Sequence, residues 1–243
     1  MRSIKVLATD STNLFLRELF RDQPDIENCY VVTEEQTKGK GQMGASWTAK
    51  KGENLTFSIL LNDLHLKIEE QFKLSAIVAC SIVEVLKKHQ IPKLKIKWPN
   101  DILAENFKIC GILIENILIN GRVGSSIIGI GLNVNQTDFG NLTQASSLKK
   151  LTGVHFDLEY LLKQLATTVE KNIYDKKDWS IKTILAEYYT HLFRLEKAST
   201  FEFPDGRRKT GIIKKVSKQG RLVVLFEDQV ELEFDIKEIK LLY

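Results

Sequence analysis

The chain reads as an α+β protein with a small β-rich unit at its C-terminal end. Three observations predict this. Short apolar runs bounded by turn residues are interspersed with long segments of helical period. Asn120-Gly121 stands between two long apolar runs, a strong two-residue hairpin signal. After about Glu196 the texture changes to short alternating strands. A length of 243 residues accommodates one large domain with a small appendage, drawn here at 1–195 and 196–243.

Taken in order, Ile4 to Ala8 is a strand, and Asp10-Ser11-Thr12-Asn13 supplies several N-caps for a helix reaching Phe20. Leu14, Leu16, Leu19 and Phe20 give that helix its apolar side. Tyr30 to Val32 and Leu55 to Leu61 are strands on either side of a polar, glycine-containing segment. Phe72, Ile77, Val78, Ile82, Val85 and Leu86 follow helical spacing, so a long helix ends near His89, before Pro92. Leu94 to Trp98 is a strand, and Ile109 to Ile119 with Val123 to Ile130 forms the hairpin. Asp157 caps a second long helix with Leu158, Leu161, Leu165, Val169 and Ile173 on one face, and a third covers Ile181 to Phe193. In the tail, Phe201 and Phe203 precede a Pro204-Asp205-Gly206 turn, then Gly211 to Val216, Leu222 to Phe226 and Val230 to Phe234 are strands. A unit this short is at the lower limit for folding alone, so it is expected to dock on the larger domain.

Composition excludes several classes. The net charge of +4 is spread along the chain, with no basic block that would mark a nucleic-acid surface. Cys29, Cys80 and Cys110 are odd in number and far apart, against a disulfide framework or a zinc site and in favour of a reducing compartment. No signal-peptide core opens the chain and no apolar run reaches the ~18 residues of a spanning helix. The expected location is the cytoplasm.

Chemistry concentrates in four segments. In Lys97-Trp98-Pro99-Asn100-Asp101, Pro99 lacks an N–H and ends ladder pairing, which places Asn100 and Asp101 at a strand exit rather than inside a sheet. Lys108 precedes an apolar run with Cys110, Ile112 and Ile114, so its amine is expected at a sheet edge facing a cavity. Two lysines, an amide and a carboxylate around one cavity suit an anionic ligand plus a metal, as when a carboxylate meets a nucleotide triphosphate. Between Thr33 and Trp47, Gly39, Gly41 and Gly44 let backbone N–H groups approach a phosphate, Lys38 and Lys40 add charge, and Trp47 offers a flat face. By itself the segment reads first as a mobile surface loop, since glycine-rich loops are common. Its Gly-x-Gly-x-x-Gly spacing opens no helix and so is no dinucleotide fingerprint. Gly129-Ile130-Gly131-Leu132-Asn133 allows close backbone approach, and Asn133 has donor and acceptor for a purine edge; a bulge with a turn asparagine is the structural alternative. Asp10-Ser11-Thr12-Asn13 alone is a helix cap.

In combination, and in order from about residue 4 to 135, these segments resemble the biotin–protein ligase family: Asp-Ser-Thr-Asn at 10–13, the glycine-rich ligand loop at 36–47, Lys-Trp-Pro-Asn-Asp at 97–101, Lys-x-x-Gly-Ile-Leu from Lys108, and Gly-x-Gly-x-Asn at 129–133. The resemblance implies a class II synthetase-like catalytic domain, a mixed, mainly antiparallel sheet flanked by helices, followed by a small SH3-like β-barrel. It implies an enzyme that makes biotinyl-5′-AMP from biotin and ATP with Mg²⁺, without a prosthetic group, and transfers biotin to one lysine of a biotin carboxyl carrier domain. By the same resemblance Lys108 stabilises charge beside the biotin carboxylate and the α-phosphate, and Lys97 sits near the phosphates. Asn100 and Asp101 position ligand or Mg²⁺, and Asp101 accepts a proton from the incoming lysine. Ser11, Thr12, Asn13 and Gln36 bind the ureido head of biotin, with Gly39, Lys40 and Gly41 closing over it and Gly111 and Leu113 lining the apolar part. Trp47, Gln42, Gly131, Asn133 and Lys40 are assigned to ATP or the adenylate.

Each residue keeps a structural alternative: Ser11 as a cap only, Trp47 as core, Lys97 as a solvated strand-end charge. Lys108 and Asp101 fit a purely structural role least. The loop departs from the family in carrying Lys40, Gln42, Met43 and Ala45 where arginines are frequent. Lysine does not clamp phosphate bidentately, so this loop is expected to hold the adenylate less tightly or to close by other contacts. With no segment for an N-terminal DNA-binding domain, a ligase without DNA or membrane partners is expected. A lipoate–protein ligase or octanoyltransferase of the same fold and a non-catalytic biotin sensor are the alternatives. The sequence does not decide oligomeric state; exposed hairpin edges suit a carrier domain or a second copy in a homodimer.

Overall fold

The computed structural model describes residues 1–243. A seven-stranded sheet runs in the order β1-β2-β3-β7-β6-β5-β4. Its strands are β1 (Arg2–Thr9), β2 (Cys29–Gln36), β3 (Leu55–Leu61), β4 (Lys95–Lys97), β5 (Asp101–Ala104), β6 (Phe107–Ile119) and β7 (Arg122–Leu132). Only β1 and β2 pair in parallel; every other neighbour is antiparallel. The longest ladder, β6 with β7, turns at Asn120-Gly121, both at positive φ (50° and 73°), as a tight right-twisted hairpin requires.

The sheet is covered unequally. Helices α2 (Phe72–Lys88) and α4 (Leu158–Lys176), with α5 (Ile181–His191) beside α2, pack on one face and enclose the large core that includes Phe57, Ile59, Ile82 and Leu165. Asp157 caps α4 through its carboxylate on Tyr160 N–H. The other face carries only α1 (Thr12–Asp22), whose Leu16 packs with Cys29, Val31, Leu60 and Ile127. Every residue of β3 is buried, as expected of a central strand covered on both sides. Because α1 covers only part of its face, the sheet beyond its N-terminus is left for a ligand.

The tail forms a second, antiparallel sheet of β8 (Ala198–Glu202), β9 (Arg208–Val216), β10 (Leu222–Phe226), β11 (Glu231–Phe234) and β12 (Lys240–Leu242), in the order β11-β10-β9-β8-β12. Phe201, Phe226 and Phe234 belong to the same continuous core as α2 and α5. Trp98 Nε1 donates to the Gly220 carbonyl (2.8 Å) and Tyr189 OH to that of Val216 (2.7 Å), fastening the two sheets together.

One local reading is corrected, and two elements are added. Asp101 begins β5 and pairs with Gly111, rather than standing outside the sheet; Pro99, joined to Trp98 by a cis bond, occupies the turn of a β4–β5 hairpin. β12 and the one-turn α3 (Leu148–Thr152) had no periodic signal long enough to read. Lys108 faces the cavity, on the side opposite Cys110. A bulge between Ile102 and Leu103 breaks the alternation of β6, leaving Cys110 in the core and bringing Lys108 Cε within 3.6 Å of where a Cβ on Gly111 would stand.

Candidate active site

The uncovered part of the sheet is floored by Gly111, Gly129 and Gly131, which lie on adjacent strands and contribute no side chain. A Cβ on Gly129 would strike Asn13 Oδ1, and one on Gly131 would strike the Trp47 ring, so both glycines are required by close approach. The roof is the segment Gly39–Trp47, a small irregular hairpin closed by Trp47 N–H to Gly39 O (2.9 Å) and Gly41 N–H to Ala45 O (2.6 Å). Free volume beneath it is about 160 Å³, below the ~300–1,000 Å³ of most small-molecule sites. Trp47 lies across this space, its ring 3.1 Å from the Cβ position of Gly111 and its buried indole N–H without a partner.

One end of the cavity is neutral and polar. Ser11 is the N-cap of α1 by backbone conformation, yet its hydroxyl makes no capping bond and faces the cavity. Gln36 Oε1 accepts from Thr12 N–H (2.8 Å) and lies 3.0 Å from Thr12 Oγ1, which leaves the Gln36 amine without a protein partner. Asn13 is tied behind them to Ser58, the Leu113 carbonyl and Glu115.

The other end is charged. Asp101 Oδ1 lies 2.6 Å from Lys108 Nζ in a charge contact without hydrogen-bond alignment, and Oδ2 lies 4.0 Å from Lys97 Nζ. Asn100 Nδ2 donates to the Ile112 carbonyl (2.7 Å) while Ile112 N–H donates to Asn100 O (3.0 Å), pinning the turn that carries Asp101 against β6. Lys108 Nζ stands 5.8 Å from the Trp47 ring centroid.

Ser11, Thr12, Asn13, Gln36, Lys40, Gly41, Gln42, Trp47, Asn100, Asp101, Lys108, Gly111, Leu113 and Gly131 thus surround one cavity. Three expected residues stand outside it. Gly39 sits behind the roof, where a Cβ would meet the Trp47 carbonyl. Lys97 is turned toward the C-terminal sheet, its Nζ 4.9 Å from the Tyr243 ring, and burial first of all, with Lys108 and Lys240 nearby, holds its pKa below that of an ordinary lysine despite Asp101. Asn133 is buried, and its Nδ2 donates to the Ser146 carbonyl (3.0 Å). That bond takes one of the two amide hydrogens and leaves the other, with the oxygen, free of protein partners. Ser58 and Glu115 were missed, because a serine and a glutamate inside apolar strands reveal their facing only through register.

The Mg²⁺ expected on Asp101 does not fit. Asp101 is the single carboxylate lining the cavity, and no group of three or more His, Cys, Asp or Glu side chains converges anywhere. Lysines flank both its oxygens, so the donor set is that of an ion pair. Mg²⁺ held mainly by the phosphates of its nucleotide needs no such cage.

The model of the Biotin/lipoate A/B protein ligase family matches residues 6–133. A biotin–[acetyl-CoA-carboxylase] ligase of Mycobacterium tuberculosis is 27% identical over 225 residues, covering 91% of this chain and 82% of its own. The bifunctional ligase/repressor BirA of Bacillus subtilis is 36% identical over 154 residues, 61% of this chain; the match spans about half (47%) of that relative's length. The fold aligns with a biotin protein ligase from Aquifex aeolicus in complex with biotin and ATP at a TM-score of 0.79 and 26% identity, over 99% of this chain and 98% of that one. No helix is long and apolar enough to cross a membrane. With the family's motifs converging on one cavity and its model matching more than half of the sequence, the chain belongs to the biotin/lipoate A/B protein ligase family.

Proposed function

We propose that this protein attaches biotin to a lysine of a biotin carboxyl carrier domain, through biotinyl-5′-AMP made from biotin and ATP. The observation that carries the reading is the polarity of the cavity: a neutral head with paired donors and acceptors at Ser11, Thr12 and Gln36, and a charged end at Lys108. A ureido ring offers N–H donors and a carbonyl to the first, and its valerate side chain delivers a carboxylate to the second. The dithiolane of a lipoyl group would leave the buried head groups unpaired, a strong penalty.

In the first step a biotin carboxylate oxygen attacks the α-phosphorus and pyrophosphate leaves. Lys108 stabilises the negative charge of the approaching groups at a point where both are held in line. In the second step the carrier lysine amine attacks the acyl carbon, AMP departs, and the amine proton passes to Asp101 once Lys108 is engaged with phosphate. Mg²⁺, when bound to the triphosphate, would offset its charge. Trp47 leaves the floor to stack on adenine, and Asn133 Oδ1 accepts from the exocyclic amine. Localisation in the cytoplasm suits the reduced, buried cysteines.

Incubation of a carrier domain with the protein, biotin, ATP and Mg²⁺, read by mass spectrometry, should show one biotinyl addition on one lysine. Addition of lipoate but not biotin assigns the chain to the other branch of the family. Biotin binding with no addition makes it a sensor.

A further inference from the structure

Six side chains run from the surface into the polar head of the cavity, and their donor and acceptor roles are forced. Arg17 of α1 places Nη2 2.5 Å from Glu115 Oε1. Glu115 Oε2 accepts from Asn13 Nδ2 (2.8 Å), as does the Leu113 carbonyl (3.3 Å). A carboxylate and a carbonyl only accept, so the Asn13 nitrogen must face them and its oxygen must face away. Ser58 Oγ lies 2.6 Å from that oxygen and gives it its single proton. Thr12 Oγ1, 2.7 Å from Ser58 Oγ, is then the donor in their contact. Gln36 Oε1, which already accepts Thr12 N–H, is the second acceptor in reach of the Thr12 proton. Thr12 is left with lone pairs for a ligand, and Gln36 with its amine.

We propose that Glu115, held by Arg17, is a positioning residue that fixes the polarity of this chain and so makes the site select a head group with an N–H opposite Thr12. The inference rests on the biotin reading, in which a ureido N–H takes that place. Glu115 does not line the cavity; Asn13 and Ser58 stand between. Without Glu115, the Asn13 nitrogen keeps only the 3.3 Å contact with Leu113 O. Its amide can then turn over, Ser58 can reverse, and Thr12 can aim its proton into the cavity. A chain free to reverse accepts an oxygen where it had required an N–H.

Calorimetric titration of wild type, Glu115→Ala and Glu115→Gln with biotin and with its two cyclic carbamate analogues, each replacing one ureido N–H by oxygen, tests this. Wild type should prefer biotin strongly over the carbamate that puts oxygen opposite Thr12. In Glu115→Ala that ratio should fall about tenfold, and Glu115→Gln, which keeps an acceptor for Asn13, should restore most of it. A purely structural role would weaken all ligands alike, and a ratio unchanged in Glu115→Ala overturns the proposal. If circular dichroism shows Glu115→Ala unfolded, surface Arg17→Ala serves in its place, with a ratio lowered roughly threefold as support and an unchanged one as refutation. Failure of the wild type to bind biotin overturns the biotin reading and the inference with it, whereas binding with an unchanged ratio removes only the inference.

Discussion

Lys108 Nζ and Asp101 Oδ1 lie 2.6 Å apart although their strands would not present them to each other in a regular ladder. The bulge between Ile102 and Leu103 turns Lys108 out of the core side of β6, and the Asn100–Ile112 bonds hold Asp101 beside it. The pair is poised: Lys108 is stored on a carboxylate that a more highly charged phosphate can outbid. Lys108→Ala should reduce adenylate formation by about 10²- to 10³-fold. Pyrophosphate release in single turnovers measures this, and a cooperative thermal transition shows that the fold survives, since Lys97 remains 4.0 Å from the other Asp101 oxygen. Activity close to wild type would remove Lys108 from the chemistry.

The floor glycines should separate stability from binding. Gly129→Ala meets Asn13, which is fixed by Ser58, Leu113 and Glu115 and cannot yield. It should destabilise the fold by about 1–3 kcal/mol. Gly131→Ala meets the Trp47 ring, which is tethered only through a loop. Its stability in denaturant melts should stay within about 1 kcal/mol of wild type, while tryptophan fluorescence changes as the ring is displaced. Trp47→Phe supplies the control for the other two tryptophans. Equal losses of stability at the two glycines would contradict this.

What could be read from the sequence was local or linear. The hairpin at Asn120-Gly121, the cap at Asp157 and the cavity motifs depend on near neighbours or on a run of adjacent residues. What could not be read depends on register and on distant chain. No residue in the sequence marks the bulge that re-aims Lys108. The facing of Ser58 toward Thr12 and Asn13 follows from how β3 lies under α1. Asn133 is partly engaged by Ser146, and Lys97 is covered by Tyr243 from the far end of the chain. β5 was hidden because a four-residue strand directly after Pro99 has too few residues to show a period.

Lys97 should give a signature in the pH dependence of stability. Burial lowers its folded pKa below the ordinary 10.5. Between the folded value and 10.5 the unfolded chain binds more protons than the folded one, so stability contributed by this site rises with pH across that window. The cost of the buried charge is fully present at neutral pH and is relieved at alkaline pH. Tyr243, whose phenol burial and then Asp101 push up to about 12, costs stability as pH rises above the ordinary 10, but it is present in wild type and in Lys97→Met alike and drops out of their difference. The thermal midpoint of wild type should therefore gain on that of Lys97→Met as pH climbs toward 10.5. A difference independent of pH would mean that Lys97 is solvated.

The arginine-poor loop Gly39–Trp47 is tied to the connection between β11 and β12. Lys237 Nζ reaches the carbonyl of Met43 (2.5 Å), a residue at φ 52° in the tight turn Gln42–Gly44. Gln42, Asp235 and Ile236 line a cavity between loop and sheet, and Gln42 Oε1 is buried without a partner. A lysine on a backbone carbonyl restrains the turn without reading any ligand, so its removal should loosen the roof and leave the head of the cavity unchanged. Lys237→Ala should raise KM for ATP about threefold with biotin affinity unaltered. Trypsin should also cut at Lys38 or Lys40 faster than in wild type, and biotin with ATP should restore protection by closing the roof from within. Cleavage at the wild-type rate would show that the loop is held by its own hairpin bonds and that the C-terminal sheet only rests against it.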